Sequence, residues 1–435
     1  MASVAIIGAG YVGLTTGVCF GALGHKVVVA DIDPDRVDLL QSGVCPIFED
    51  GLERLMRDAT GDGNLRFVLG AENAVADADF VYLCVPTPQD ACGAADLSYI
   101  ESAARQVSPH LKSGAVVVNK STVPVGSADL VGSWIGRDDV AVVSNPEFLR
   151  EGSAVHDFQY PDRIVIGAHD RETALRVASL YVGITAPVIV TDVASAELIK
   201  YASNAFLAAK LSFVNEIATL CEHVGADAKH VILGMGSDSR IGSNFLSPGP
   251  GWGGSCFPKD TRALLHISSE VGHEFGLLRS AIEANERHLD RVIEKLRNTL
   301  VGELKDKKVT VLGLTFKAGT DDLRESPALR VTDYLVAAGT DVTAHDPAVS
   351  AKLSPAMLER LNDIHLCDDP HDACKGADVV VIMTEWDTYR DLDLDEVRDV
   401  MDGDTIIDTR NLLERHRVTQ HGLNYVGTGR HGLLR

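Results

Sequence analysis

The segment with the most chemical potential is Arg240-Ile241-Gly242-Ser243-Asn244-Phe245-Leu246-Ser247-Pro248-Gly249-Pro250-Gly251-Trp252-Gly253-Gly254-Ser255-Cys256-Phe257-Pro258-Lys259-Asp260. Its glycines leave backbone free to approach a ligand, and Pro258 reads as the first turn of a helix continuing through 261–271. Cys256 then stands just before a helix N-terminus with Lys259 nearby, and both features favour thiolate. A small buried cysteine is the structural alternative. The glycine loop, Lys259 and Asp260 around it favour a nucleophile. Lys200 and Asn204 are four residues apart in a helical stretch, so they project from one face toward a common ligand. The alternative for Lys200 is an amine that reaches solvent. Ser121-Thr122-Val123-Pro124-Val125-Gly126 and Asn145-Pro146-Glu147-Phe148-Leu149-Arg150-Glu151-Gly152 place polar groups in turns after apolar runs. Turn and capping chemistry would account for either alone.

A second constellation is Gly8-Ala9-Gly10-Tyr11-Val12-Gly13, directly after an apolar run and at the start of a small-residue helix. The three glycines permit a tight turn, close approach to a pyrophosphate and close helix–strand packing. Asp31 follows Gly8 by 23 residues at the end of the next strand, where a carboxylate accepts from a ribose hydroxyl. It would repel a 2′-phosphate, which favours NAD over NADP, although Arg36 is close enough to pair with such a phosphate. A nicotinamide dinucleotide is the expected ligand.

The elements that must position these groups alternate from the first residue. Strands are expected at 4–7, 27–30, 80–85, 115–118, 140–143, 164–166 and 188–190, with helical stretches between them, the pattern of a doubly wound α/β domain. From Ser195 to Val224 there is no Gly or Pro, which predicts one helix of roughly 45 Å. It is expected to link two lobes, with a dimer contact or a monomer core as the two uses of its length. A second alternation begins at Lys307, with strands at 308–313, 341–344, 378–383 and 405–408 and a helix capped by Ser326 and opened by Pro327. The expectation is α/β, two Rossmann-like doubly wound domains joined by a long central helix. The domains would be 1–194, 195–300 and 301–435, the outer two each with a nucleotide ligand.

Length and composition agree with two or three domains: 435 residues, 45% hydrophobic and 23% charged. The formal net charge of −22 argues against nucleic acid and against an anionic membrane surface. No apolar run reaches the ~18 residues of a bilayer span, and no secretory leader opens the chain. The eight cysteines form no CxxC pair, so neither a disulfide framework nor a metal site is expected. The reading is a reduced, cytoplasmic protein.

On STVPVG (121–126), NPEFLREG (145–152), GGSCFPKD (253–260) and GLTFKAGTDDLRESPAL (313–329), the chain resembles the UDP-glucose/GDP-mannose dehydrogenase family along its whole length. FLSPGPGWGGSCFPKD is similar to the UDP-glucose branch, though Pro248 and Trp252 depart from the commonest residues there. The resemblance implies a four-electron oxidation of UDP-glucose to UDP-glucuronate with two NAD, through a Cys256 thiohemiacetal and thioester. It implies that Lys200 and Asn204 stabilise the oxyanion and that Thr122 and Asp260 position a water. It also implies that Glu147, or Asp260, is the base for hydrolysis. By the same resemblance Phe148, Leu149, Arg150, Glu151, Phe245, Leu246, Ser247, Pro248, Gly249, Gly253, Phe316, Lys317 and Arg410 bind the nucleotide-sugar, together with Lys200 and Asn204. Arg240 would come from a neighbouring subunit, implying a homodimer or higher homo-oligomer. The NAD residues implied are Tyr11, Val12, Asp31, Arg36, Thr87, Ser121, Thr122, Glu151, Lys259 and Arg324, beside Gly8, Gly10 and Gly13. Three rivals remain: a GDP-mannose or other nucleotide-sugar 6-dehydrogenase, a two-electron β-hydroxy-acid dehydrogenase, and a non-catalytic NAD-binding regulator. The last two leave Cys256 without a role.

Overall fold

The computed structural model describes residues 1–90, 93–349 and 359–430. It divides into two compact units, Met1–Ser203 with Arg262–Gly272, and Asn204–Thr261 with His273–Arg435.

The first unit is built on β1 (Ser3–Ile7), β2 (Lys26–Asp31), β3 (Leu65–Leu69), β4 (Phe80–Leu83), β5 (Val116–Asn119), β6 (Ala141–Ser144), β7 (Ile164–Gly167) and β8 (Val188–Thr191). They form one sheet in the order β3-β2-β1-β4-β5-β6-β7-β8. Pairing is parallel except between β6 and β7, where Ser144 faces Gly167 antiparallel. Alternate residues of β1 serve opposite cores: Val4 and Ile6 pack with Phe20 and Tyr82, whereas Ala5 and Ile7 pack with Val81 and Val117. Burial on both faces explains why these strands read as continuous apolar runs.

The second unit repeats the plan with β9 (Lys308–Leu312), β10 (Asp341–His345), β11 (His365–Leu366), β12 (Val379–Ile382), β13 (Thr405–Asp408) and β14 (Asn424–Gly427), in the order β11-β10-β9-β12-β13-β14. Every pairing in this sheet is parallel. Both sheets reverse direction between their first and fourth strands, the crevice where open α/β sheets take ligands. Ser326 caps the Pro327–Ala337 helix by accepting the Ala328 amide, as its sequence predicts.

The long helix runs from Val193 to Val224, two residues earlier than expected. The Asp192 carboxylate accepts the Ser195 amide at 2.8 Å and so sets its start. Gly225, at φ 77°, ends it. Among the described residues no helix is long and apolar enough to cross a membrane.

Three strands escaped the sequence pattern: β3, β11 and β14. Each lies at a sheet edge, where one flank is unpaired and the run is short or polar. Arg66 interrupts β3, and β11 has only two residues.

Candidate active site

In the first unit the glycine turn after β1 has a distinct use for each glycine. Gly8 adopts φ 100°, and a Cβ there would meet the Cys84 carbonyl oxygen at 2.7 Å. A Cβ on Gly13 would stand 1.9 Å from the Gly8 oxygen, so that position fixes the helix against the turn. Gly10 faces open space and begins the Tyr11–Ala22 helix, with no side chain to cap its first amides. Those amides are an anion site. Asp31 accepts the Ala9 amide at 2.7 Å and the Asp33 amide at 3.0 Å, and Arg36 approaches it at 3.6 Å. The turn therefore fits a dinucleotide whose pyrophosphate lies at Gly10, and the Arg36 guanidinium is partnered by the ribose-side carboxylate. Val12 lies half-buried in the first helical turn.

Loops beyond β4, β5 and β6 converge beside that turn. The Ser121 hydroxyl donates to the Val85 carbonyl at 2.7 Å and the Thr87 hydroxyl to the Thr122 carbonyl at 3.0 Å. Tyr11 donates to Glu49, which also accepts the Gly152 amide at 2.8 Å, so the glycine turn is bound to the 145–152 segment carrying Glu151.

Lys200 does not reach solvent. Its ammonium bonds the Glu147 carboxylate at 2.7 Å, with side chains only 4% and 6% exposed. The Leu149 amide donates to the same carboxylate at 2.6 Å. Burial alone would raise the Glu147 carboxyl, but the charge and hydrogen bond of Lys200, the Leu149 amide and the Lys120 charge outweigh it and hold Glu147 below its ordinary value. Phe148 lies against both the Arg163 guanidinium, 3.5 Å from the ring centre, and Lys200 at 5.5 Å. Arg150 is held by Asp157 at 2.5 Å.

In the second unit Cys256 is the residue before the Phe257–Glu270 helix, and its carbonyl accepts the Asp260 amide at 2.8 Å. Pro258 falls in the first turn of this helix, as its sequence predicts, where no amide is required. Asp260 is fully buried and accepts from the Lys259 amine at 2.7 Å and the Asn204 amide at 2.5 Å. Ser255 lies 3.5 Å from the Cys256 sulfur. Burial pushes up the thiols of all six other described cysteines, those of Cys19, Cys84 and Cys374 to about 12. Cys256, like Cys45 and Cys367, is part-exposed.

The loop leading to Cys256 is anchored by two helices. Asn215 accepts the Gly249 amide at 2.9 Å, His288 bonds the Gly249 carbonyl at 2.7 Å, and Asn285 accepts the Trp252 amide at 2.8 Å. The Trp252 indole donates to Ser212 at 2.9 Å, which accounts for the unusual residue. Burial lowers the His288 imidazole to about 4, so it is neutral near pH 7. A Cβ at Gly253 would lie 2.0 Å from the Glu325 carbonyl oxygen, one at Gly254 2.8 Å from the Phe316 ring, and one at Gly249 2.9 Å from the Arg410 guanidinium. The loop's glycines thus serve close approach within the protein as well as toward a ligand. Arg410 also donates to the Phe316 carbonyl at 3.0 Å. Phe245, Glu325 and Asn411 hold positive φ of 60°, 49° and 51°, the kind of backbone strain that collects at binding sites. Leu246 is buried, whereas Ser247 is exposed and Pro248 half-buried. Arg240 pairs with its neighbour Asp238 at 2.6 Å and Arg324 with Asp322 at 2.8 Å. Lys317 stands 5.6 Å from the Phe316 ring centre. The predicted residues therefore fall into two groups. Gly8 to Glu151 and Lys200 lie in the first unit, and Asn204 to Asp260, Phe316, Lys317, Arg324 and Arg410 in the second.

An open dinucleotide turn on one sheet, and a second sheet of the same strand order, describe a dehydrogenase acting on a nucleotide-bearing substrate. Models of the UDP-glucose/GDP-mannose dehydrogenase family match in succession: the NAD binding domain at residues 2–185, the central domain at 194–287 and the UDP binding domain at 310–415. The chain is 44% identical over 440 residues to the UDP-glucose 6-dehydrogenase YwqF of Bacillus subtilis, covering 99% of this chain and 98% of the relative. It is 43% identical to the UDP-glucose 6-dehydrogenase of Rhizobium meliloti, over 98% of this chain and 99% of that one. A UDP-glucose dehydrogenase structure from Pyrobaculum islandicum superposes with a TM-score of 0.89 at 38% identity, covering 99% of this chain and 98% of that one. The chain belongs to the UDP-glucose/GDP-mannose dehydrogenase family and is an NAD-dependent oxidoreductase.

Sequence reasoning overlooked Glu197. Its carboxylate accepts the Gly126 amide at 2.7 Å, the Ala128 amide at 3.0 Å and the Ser144 hydroxyl at 2.9 Å. It caps the Ser127–Ile135 helix, whose own N-cap Gly126 has no side chain to do so. The same carboxylate ties the 121–126 loop and the end of β6 to the helix bearing Lys200. Its position three residues before Lys200 was the available signal, since i and i+3 share a helix face. Thr122, Ser144, Glu197 and Lys200 border one small cavity. Glu197→Gln leaves at least one of the two amides without its acceptor. We expect a loss of about 2 kcal/mol, read as a lower urea midpoint at unchanged m-value.

Proposed function

We propose that the chain oxidises UDP-glucose at C6 to UDP-glucuronate, with Cys256 carrying the sugar as a thioester between two oxidations. The observation that carries this reading is a part-exposed cysteine capping the helix that bears buried Asp260, itself bonded to Asn204. The curated relatives named above, matched over nearly their full length, support UDP-glucose as the sugar nucleotide.

NAD, when bound, accepts one hydride in each of two oxidations. In the first, Thr122 and Asp260 hold the water that takes the C6 hydroxyl proton as the aldehyde forms. Cys256 then loses its thiol proton to solvent, its sulfur bonds to C6 as the carbonyl π pair moves to oxygen, and the resulting oxyanion is stabilised by Lys200 and Asn204, one helical turn apart on the same helix. Loss of the second hydride leaves the thioester. Glu147 takes a proton from the attacking water, the C6–sulfur bond breaks, and the carboxylate leaves with the thiol regenerated. One water is consumed. Thiol attachment retains the aldehyde and turns its oxidation into a second hydride loss. Phe316, Lys317, Arg410 and the 245–249 segment bind the nucleotide end of the substrate. In this reading residues 1–194, 195–300 and 301–435 take the dinucleotide, central and sugar-nucleotide roles, and the protein works in the cytoplasm.

A homodimer is part of this reading. On the long helix Phe206, Phe213 and Leu220 recur every seven residues and are 67%, 54% and 54% exposed. Such a seam suits a second copy of the same helix.

Four measurements check these statements. Purified protein should form two NADH per UDP-glucose consumed and release acid, and Cys256→Ala should bind NAD yet form no acid; one NADH with free aldehyde contradicts the thioester route. GDP-mannose turned over with the higher kcat/KM would instead overturn the substrate. Phe213→Glu should shift the sedimenting species toward monomer, and an unshifted oligomer would remove this seam from the interface.

A further inference from the structure

Lys120, which directly follows β5, is a buried lysine that the proposed chemistry does not use. Its ammonium donates to the Asn145 side-chain oxygen at 3.2 Å and to the Tyr181 hydroxyl at 3.3 Å. Both partners are neutral. The Tyr181 hydroxyl in turn donates to the same Asn145 oxygen at 2.6 Å, while the Asn145 amide donates to the Val165 carbonyl at 2.8 Å. The last bond fixes the Asn145 oxygen toward Lys120. An ammonium out of water needs a carboxylate to offset its charge, and Glu147 lies two residues beyond Asn145.

The charged and titratable groups that face Glu147 come from four directions. Lys200 projects from the long helix, Lys120 follows β5, Arg163 precedes β7 and stacks on Phe148, and the Cys84 thiol follows β4. Of these groups Lys200 bonds the carboxylate directly, at 2.7 Å. The proposed reaction asks Lys200 to serve the substrate oxyanion, which draws its charge away from Glu147. Burial would then drive Glu147 to take up a proton and end its service as a base. A second fixed cation prevents that.

We propose that Lys120 is a positioning residue for thioester hydrolysis, its anchored ammonium keeping Glu147 ionised while Lys200 serves the substrate oxygen. This rests on the reading above in which Glu147 is the hydrolytic base. It leaves Lys200 free to change partners without a change of protonation in the carboxylate it leaves.

The test follows acyl-enzyme breakdown against pH in acid-quenched single turnovers with UDP-glucose and NAD. Lys120→Met removes the charge and keeps the length, so the acid limb should move up by about one pH unit. Lys120→Arg should return it toward the parent position. Tyr181→Phe, which removes an anchoring hydroxyl but no charge, should leave the limb in place; a shift as large as that of Lys120→Met would overturn the electrostatic role. If Lys120→Met does not fold, Lys120→Gln carries the same expectation. An unmoved limb in a folded, charge-less variant overturns the proposal. Glu147→Gln separates the two ideas: loss of the limb supports Glu147 as base, and its persistence overturns that reading whatever Lys120 does.

Discussion

An ammonium and a carboxylate out of water, Lys200 and Glu147 at 2.7 Å, set the terms for the first unit. Desolvating two charges is costly unless their remaining bonding capacity is met, and removing one partner alone costs about 3–5 kcal/mol. The surrounding segments supply that capacity. Leu149 donates its amide to Glu147, Phe148 presents its ring face to Lys200, and Glu197 fixes the helix that carries the lysine. Because the pair joins a loop after β6 to the long helix, the same interaction that stabilises the site also sets its geometry.

The two sheets share a strand order but use the turn after the first strand differently. After β1, Asp31 accepts one turn amide, that of Ala9, and Gly10 stays open. After β9, the corresponding carboxylate, Asp346, accepts the Leu314 and Thr315 amides and the Thr315 hydroxyl, and the Trp386 indole approaches it at 3.3 Å. A Cβ at Gly313 would lie 2.4 Å from the Thr384 Cβ. The second turn is thus closed by its own side chains, and the ligand-binding roles proposed for that unit fall on the loop before Cys256, Phe316 and Arg410. One topology thus carries one open turn and one filled turn.

Much of this was legible from residue order. Buried parallel strands announce themselves as apolar runs, so the central strands of both sheets and the helix to Val224 stood out. The dinucleotide turn was readable because each glycine answers a steric need that no other residue meets. Of the four edge strands only β8 was readable, as an apolar run; β3, β11 and β14 were not, since one-sided pairing demands less of the side chains. The bonds of Glu197, Glu49 and Lys120 were not readable for a different reason: their partners lie roughly 25 to 106 residues away in sequence. Long-range polar closure leaves no local period. The glycines before Cys256 were noticed for their freedom, yet Gly253 is required by a carbonyl 72 residues later in the chain.

The central claim is that Cys256 carries the sugar as a thioester. It is tested most directly by rapid acid quenching of the parent protein during turnover of UDP-glucose and NAD, followed by peptide mass spectrometry. The account predicts a hydroxylamine-labile UDP-glucuronyl adduct on the peptide containing Cys256. Accumulating acid product with Cys256 unmodified throughout turnover, or an adduct on another residue, would contradict it.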